Sequence, residues 1–183
     1  MSEKINSSKQ STLAIPADDL QRKLAIYQSD RDGKSSHIGV VGDTYTILLS
    51  GKDTAGRFCL IDMHIPPGGG PPPHRHNFEE ALTLIEGKLD FTFRGTKQEV
   101  GVGGAINVPA NAPHQFHNSS AQPARMLCIC SPSGQEEFFR EVGVPVATRT
   151  SLPPKLDKAA QAEFIKKAIA LAPKYRTELL NLK

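Results

Sequence analysis

Short runs in which apolar and polar residues alternate fill the middle of the chain. In LDFTFR (89–94), Leu89, Phe91 and Phe93 alternate with more polar residues, which is the pattern of a half-buried β-strand. Similar runs recur between Gly, Pro, Asn and Asp residues, and this regular spacing is typical of all-β domains. They are TYTILLS (44–50), RFCLIDMHI (57–65), ALTLIE (81–86), QEVGVG (98–103), AINVP (105–109), HQFHN (114–118) and ARMLCIC (124–130). The pattern predicts an all-β barrel or sandwich over residues 37–132.

The pattern becomes helical in the C-terminal part of the chain. Ser133 and Glu136 have the spacing of a capping box, and apolar residues follow them. Residues 156–172 carry apolar side chains at every third or fourth position, which predicts an amphipathic helix. Residues 175–182 are expected to add one or two helical turns. We therefore predict a C-terminal helical extension over residues 133–183, packed on the barrel exterior or on a second copy of the chain.

The first 36 residues show no sustained periodicity. A group of apolar residues after Asp18 and Asp19 predicts one short helix that begins near Ala17. The remainder of 1–36 is expected to be an N-terminal arm, flexible or ordered by packing against another subunit. A homodimer is the expected assembly.

Composition and charge narrow the class of protein. Hydrophobic residues at 38% and charged residues at 22% are ordinary for a globular domain. A net charge of +3 is too small to indicate a nucleic-acid partner. No apolar run approaches the roughly 20 residues that a membrane-spanning helix needs, and MSEKINSSKQST contains no apolar segment of a secretory signal. We expect a cytoplasmic protein whose partner is a small molecule, without nucleic acid or membrane.

The three cysteines do not form a disulfide framework of a small secreted protein. Cys128 and Cys130 alternate with Ile129, so both side chains face one side of a strand and are poorly placed to form a disulfide with each other. Buried free thiols are the favoured interpretation. A metal site made by this Cys-x-Cys pair is the alternative.

The candidate chemistry lies in two segments, GGGPPPHRHNFEEALTLIEG (68–87) and GGAINVPANAPHQFHN (103–118). His74 and His76 are two residues apart, so both imidazoles project to the same side of an extended chain. Glu80 lies four residues beyond His76 and stays in register with it. His114 begins another alternating run. Three imidazoles and one carboxylate that converge could bind a divalent first-row metal and leave coordination positions open for water, dioxygen or a substrate oxygen.

The choice between two neighbouring carboxylates follows from strand geometry. Glu79 and Glu80 point to opposite faces of a strand. Glu80 shares its face with the apolar Leu82 and Leu84, so we assign it as the ligand. Glu79 is expected to be solvated.

The other histidines are not assigned as ligands. His37 lies among small polar residues and is expected to be exposed, and His117 is expected to point outward. His64 is either a surface residue or part of the cavity wall, like its neighbour Asp62, and the surface is favoured. Asn118 either makes a structural hydrogen bond or contributes to the site.

The two histidine segments resemble the two motifs of the cupin superfamily. The first motif is a Gly, five residues, His-x-His, three or four residues, Glu, six residues and Gly, and it is matched by Gly68, His74, His76, Glu80 and Gly87. The second is matched by Gly103, Pro109, His114 and Asn118. Asn111 stands where the family usually has Gly, a mild departure because Asn tolerates a left-handed turn. The resemblance covers roughly half of the chain and implies a jelly-roll barrel that holds its metal inside.

Within that family, the chain is similar to quercetin 2,3-dioxygenases, through PPGGGPPPHRH (66–76) and GQEEFFREVG (134–143). The resemblance implies oxygen-dependent ring opening of a flavonol-like or other enolic or phenolic molecule. A divalent ion with three imidazoles and one carboxylate keeps a net charge near +1 and favours an anionic substrate oxygen. Fe, Ni, Mn, Co, Cu and Zn all suit these ligands, and Glu80 is also the candidate proton acceptor. The alternatives are a metal-dependent isomerase or decarboxylase and a non-catalytic small-molecule-binding protein.

Overall fold

The computed structural model describes residues 15–27 and 36–180, which form two antiparallel β-sheets and a few helices. The strands are β1 (Ser36–Val40), β2 (Asp43–Leu49), β3 (Cys59–Ile65), β4 (His74–His76), β5 (Glu79–Glu86), β6 (Lys88–Phe93), β7 (Thr96–Gly101), β8 (Ala105–Val108), β9 (His114–His117), β10 (Ala124–Ser131), β11 (Val144–Pro145) and β12 (Thr177–Leu179). One sheet has the order β11-β1-β2-β3-β10-β5-β8, and the other β12-β4-β9-β6-β7. The predicted all-β class is confirmed.

The core lies between the inner faces of the two sheets. On β3, the buried residues Cys59, Ile61, Met63 and Ile65 alternate with residues of the opposite face. Burying each aliphatic side chain contributes about 1.5–3 kcal/mol of hydrophobic free energy. The smaller sheet supplies buried residues from β6 and β9, among them Leu89, Phe91 and Phe116. This alternation decides which face of β3 points inward, a question that periodicity left open.

Asp62 and His64 lie on the outer face of β3. His64 is half-buried there, in agreement with the favoured surface assignment. Asp62 is buried beneath Arg125 and Arg149, whose guanidinium nitrogens approach its carboxylate to 2.7 and 3.1 Å. Neither residue faces the space between the sheets.

In the described part of the chain, three helices accompany the sheets, α1 (Gly51–Thr54), α2 (Gln135–Val142) and α3 (Lys158–Leu171), and a short 3-10 helix, Ala172–Tyr175, follows α3. Helix α2 packs Phe139 against Tyr45, with ring centroids 4.6 Å apart. Its N-cap is Gly134 rather than the predicted Ser133. Glu136 satisfies two backbone donors instead, since it accepts hydrogen bonds from the N–H groups of Gly134 and Gly51.

The helical turns predicted for residues 175–182 are wrong, because Thr177–Leu179 forms β12. Arg176 adopts a left-handed conformation with φ of 56°, which ends the 3-10 helix and redirects the chain. The strand then pairs with β4. Likewise, Val144–Pro145 pairs with β1. The C-terminal extension therefore adds an outer strand to each sheet.

The short helix predicted near Ala17 is also wrong within the described part of the arm. Residues 15–27 contain a turn at Leu20 and Gln21 and no helix. Leu20 and Leu24 are 85% and 86% exposed. A short helix without a packing surface is marginal in water, and these side chains pack against nothing among the described residues. The remainder of the predicted arm lies outside the described residues.

His37 was expected to be exposed, and this is wrong. It lies on β1, between β2 and β11, and its buried ring places Nδ1 2.8 Å from the hydroxyl oxygen of Thr46. The strand SHIGV is too short for its periodicity to be recognised. Among residues 15–27 and 36–180, no helix combines the length and apolarity required to span a membrane.

Candidate metal centre

A glycine-rich loop, residues 68–70, precedes β4. Gly70 has φ of 124°, and a Cβ there would lie 2.2 Å from the carbonyl oxygen of Phe116, so only glycine fits against β9. The N–H of Gly70 donates to the buried carboxylate of Asp43 at 3.2 Å. These two contacts fix the loop immediately before His74.

The structure brings the three predicted histidines together. His74 and His76 lie on the inner face of β4, and His114 on β9 is the direct cross-strand partner of His74. The ring centroid of His114 is 4.2 Å from that of His74 and 4.8 Å from that of His76. Candidate ligand nitrogens of the three rings lie within 4.8 Å of one another, and all three residues are buried.

The backbone fixes the orientation of each ring. In all three histidines Nδ1 lies against a carbonyl oxygen, and because a carbonyl only accepts, Nδ1 carries the proton and donates. The other ring nitrogen, Nε2, then presents its lone pair, as a metal ligand requires. The three carbonyl oxygens belong to Pro72, Phe78 and Ala112, at 2.9, 3.0 and 2.9 Å from His74, His76 and His114.

Glu80 on β5 completes the group from the other sheet. Its Oε2 lies 3.1 Å from Nε2 of His114 and 3.4 Å from Nε2 of His76. Nε2 of His114 is nevertheless buried without a hydrogen-bond partner, since the short distance lacks hydrogen-bond geometry. Lone pairs of imidazole and carboxylate that face one another in a dry interior repel unless a cation lies between them. The four side chains therefore fit a bound cation.

The electrostatics agree with this fit. Burial lowers the pKa of His74 to about 4, with a further contribution from His114, so its imidazole is neutral at pH 7. Burial raises the pKa of Glu80, but hydrogen-bond donation and positive charge at the Nε2 side of His114 and His76, which a bound cation would replace, lower it more, so the net pKa is well below its usual value. At neutral pH, Glu80 is therefore a carboxylate. Such a set could hold a divalent metal ion, and its donor types do not select one element.

The neighbouring residues behave as expected from their positions. Glu79 is exposed on the outer face, where it accepts a hydrogen bond from the N–H of Ala110 at 3.1 Å. His117 is exposed. Asn118 is buried and donates to the carbonyl oxygen of Ile65 at 2.9 Å, so its role is structural. Asn111 takes the left-handed conformation, with φ of 69°.

One neighbour of the site was missed by sequence reasoning. Cys59, Cys128 and Cys130 are buried and free, as predicted, but Sγ of Cys128 also lies 3.2 Å from Oε1 of Glu80. The hydrogen bond with Cys130 lowers the pKa of Cys128, yet burial and the charge of Glu80 raise it to about 12. The alternating pattern of ARMLCIC (124–130) predicted that Cys128 and Cys130 are buried. The contact with Glu80 depends on the pairing of β5 with β10, for which the sequence carries no local signal.

A cavity of about 270 Å³ lies near the site, although none of the four candidate ligands lines it. Its wall includes Phe91, whose ring centroid is 6.1 Å from that of His114. The lining combines apolar and amide side chains from β6, β7 and β8. It consists of Phe91, Phe93, Thr96, Gln98, Val100, Ala105, Ile106 and Asn107.

Comparison with known proteins shows which proteins have sequences similar to this chain. The family model described as "Cupin domain" matches residues 61–130. A quercetin 2,3-dioxygenase from Bacillus subtilis (strain 168) is 28% identical over 102 residues, which cover 55% of this chain and 30% of that protein. The chain therefore aligns with less than a third of the length of the Bacillus protein.

Two solved structures show the same fold. An RmlC-like cupin from Shewanella frigidimarina matches with a TM-score of 0.52 and 14% identity, over 63% of this chain and 98% of that chain. KdgF from a Halomonas species matches with a TM-score of 0.54 and 14% identity, over 63% and 99%. At this identity, the likeness concerns the fold alone. Together with the family match over residues 61–130 and the paired sheets, it identifies the fold of the domain as a cupin-type jelly roll.

Proposed function

We propose that this chain is a metal-dependent dioxygenase that acts on a flavonol-like or other enolic or phenolic small molecule. In this proposal His74, His76, His114 and Glu80 hold one divalent metal ion. The observation that carries it is the convergence of three oriented imidazoles on a buried carboxylate, with Nε2 of His114 lacking a hydrogen-bond partner. The similarity to the Bacillus subtilis quercetin 2,3-dioxygenase supports the reaction class.

Glu80 has a second role in this proposal, as proton acceptor. A divalent metal bound there would supply the positive charge that polarises and acidifies an enol or phenol hydroxyl. Because the pKa of Glu80 lies well below its usual value, its carboxylate takes up a proton only from a strongly acidified hydroxyl. The proton moves from the substrate oxygen to Glu80, and the substrate is left as an electron-rich anion that can react with dioxygen.

The cavity beside the site supports an aromatic substrate. Phe91 and Phe93 contribute aromatic rings to its lining, and the ring centroid of Phe91 lies 6.1 Å from that of His114. Gln98 offers an amide group that can hydrogen-bond to a substrate oxygen.

Oxygen uptake with a panel of flavonols tests the proposal. The protein is loaded separately with Fe, Mn, Co, Ni and Cu, and we expect uptake that depends on both metal and substrate. Glu80→Gln, with its metal content confirmed, should lower the rate at least about 100-fold, the size of a typical general-base contribution. Glu79→Gln is the matched control, because this adjacent carboxylate lies on the outer face, and it should keep the wild-type rate.

Other outcomes identify the competing functions. Turnover without oxygen, sustained by the redox-inert Zn, would indicate an isomerase or decarboxylase. Ligand binding without turnover for any metal would indicate a binding protein. Full activity of Glu80→Gln would discard the proton-acceptor role.

A further inference from the structure

The two carboxylate oxygens of Glu80 have different partners. Oε2 faces the imidazoles of His76 and His114. Oε1 lies 3.2 Å from Sγ of Cys128, and because an ionised carboxylate only accepts, the thiol is the donor. Among the described residues, Cys128 is the hydrogen-bond donor to Oε1. The thiol thus occupies the oxygen that does not face the histidines.

This contact runs diagonally between two strands. In the register of β5 and β10, Glu80 lies opposite Cys130, whereas Cys128 lies opposite Leu82. The Glu80 side chain therefore leans along the strand to reach the thiol, within the range of a diagonal neighbour. Glu has three rotatable side-chain bonds, and ordering them costs conformational entropy. A fixed donor on the neighbouring strand reduces the number of orientations that the carboxylate can adopt.

The thiol itself is fixed by further thiols. Sγ of Cys130 lies 3.5 Å from Sγ of Cys128 and can donate to it while Cys128 donates to Glu80. Cys59 lies directly opposite Cys130 on β3. All three cysteines have 0% exposure. Because the thiols are fully buried and the Glu80 side chain is only 7% exposed, even a weak S–H donor can direct the carboxylate.

We propose that Cys128 is a positioning residue for the metal centre, whose thiol holds the Glu80 carboxylate with Oε2 turned toward the three imidazoles. The inference rests on the proposed metal site. Partners that orient a metal ligand typically change metal affinity 10- to 100-fold when they are removed. Cys128 therefore increases the affinity of the site without touching the metal.

Cobalt titration tests this role, because the visible bands of Co²⁺ report the geometry of its ligands. Cys128→Ala removes the donor and should weaken Co²⁺ binding by about 10-fold or more, with changed visible bands. Cys128→Ser keeps a donor of similar size and should stay within about threefold of the wild-type affinity. Cys59→Ala is the matched control, because Cys59 is equally buried but is separated from Cys128 by Cys130. It should keep the wild-type Co²⁺ affinity and visible bands. Serine rescue separates donation from packing.

Three results would overturn the inference. Unchanged affinity and bands in Cys128→Ala would show that the thiol does not orient Glu80. Equal weakening in Cys59→Ala would show that core packing causes the loss. A sulfur-to-cobalt charge-transfer band that vanishes in Cys128→Ala would make the thiol a ligand. If the wild-type protein binds no Co²⁺, the proposed metal site is wrong, and the role of Cys128 is wrong with it. Failure of the metal site is therefore distinguishable from failure of the Cys128 role alone, in which the wild-type protein still binds Co²⁺.

Discussion

One buried residue, Asp43, holds the loop that leads to the histidines. Asp43 accepts hydrogen bonds from the hydroxyl of Tyr45 at 3.0 Å and from the N–H of Gly70 at 3.2 Å. Burial raises the pKa of Asp43 to about 7, although both hydrogen bonds act in the opposite direction. The folded chain therefore keeps a proton on Asp43 at pH values where the unfolded chain has lost it.

This shift predicts a pH dependence of stability. Between the ordinary pKa of 3.8 and about 7, the folded state binds more protons at Asp43 than the unfolded state. The stabilising contribution is complete below this window and is lost as the pH rises through it. In Asp43→Asn, the slope of unfolding free energy against pH should become more positive by up to roughly 1.4 kcal/mol per pH unit.

Urea unfolding at pH 5, 6 and 7 measures this slope. Asp18→Asn, which changes an exposed carboxylate, is the control. Its unfolding free energy plotted against pH should run parallel to that of the wild type. Parallel curves for Asp43→Asn and the wild type would contradict the shifted pKa.

The candidate ligands could be read from the sequence because they lie close together along the chain. His74, His76 and Glu80 are spaced by two and four residues, so strand geometry alone places them on one face. His37 and Cys128 could not be placed in the same way. Their surroundings depend on which strands pair, His37 through β1 with β2, and Cys128 through β10 with β5.

Strand β4 is the element on which the site depends most. It has three residues, carries two of the candidate ligands and meets β9 through the pair His74–His114. Its other edge is covered by β12. Beyond the strand ends, the N–H of Leu180 donates to the carbonyl of Pro73, and the N–H of Asn77 donates to the carbonyl of Arg176, both at 2.8 Å. The C-terminal segment thus fixes β4 from outside.

Weakening this contact should affect metal binding from a distance. Leu180→Pro removes the N–H that donates to Pro73, whereas Leu180→Ala removes the side chain and keeps the N–H. We expect Leu180→Pro to weaken divalent-metal binding several-fold more than Leu180→Ala, as measured by calorimetric titration. Equal affinities in the two variants would show that β12 does not hold β4 in place.

Element prediction succeeded where alternation extended over several residues. The strands β2, β3, β5, β6, β7, β8, β9 and β10 all fall within predicted runs, with small differences at their ends. By contrast, β11 and β12 contain two and three residues, too few to show a period. They become strands because a sheet edge offers hydrogen-bond partners, which is a tertiary effect that local pattern does not contain.

The fold as a whole accounts for the location of the site. Two sheets facing one another enclose a buried space, and three imidazoles with one carboxylate enter it from both sheets. The all-β class and the cupin resemblance were predictable because the motifs are local. The substrate could not be predicted from the sequence, because the cavity wall is assembled from β6, β7 and β8 and its shape depends on how these strands pack.

X-ray absorption of the protein loaded with one equivalent of Zn²⁺ tests the metal centre most directly. We expect one zinc per chain with only nitrogen and oxygen neighbours at about 2.0–2.2 Å, and outer scattering from three imidazoles. His114→Ala should lose one imidazole from this pattern. Sulfur neighbours at about 2.3 Å would place the metal instead at Cys128 and Cys130, and that result, or the absence of stoichiometric zinc, would contradict a centre made by three histidines and Glu80.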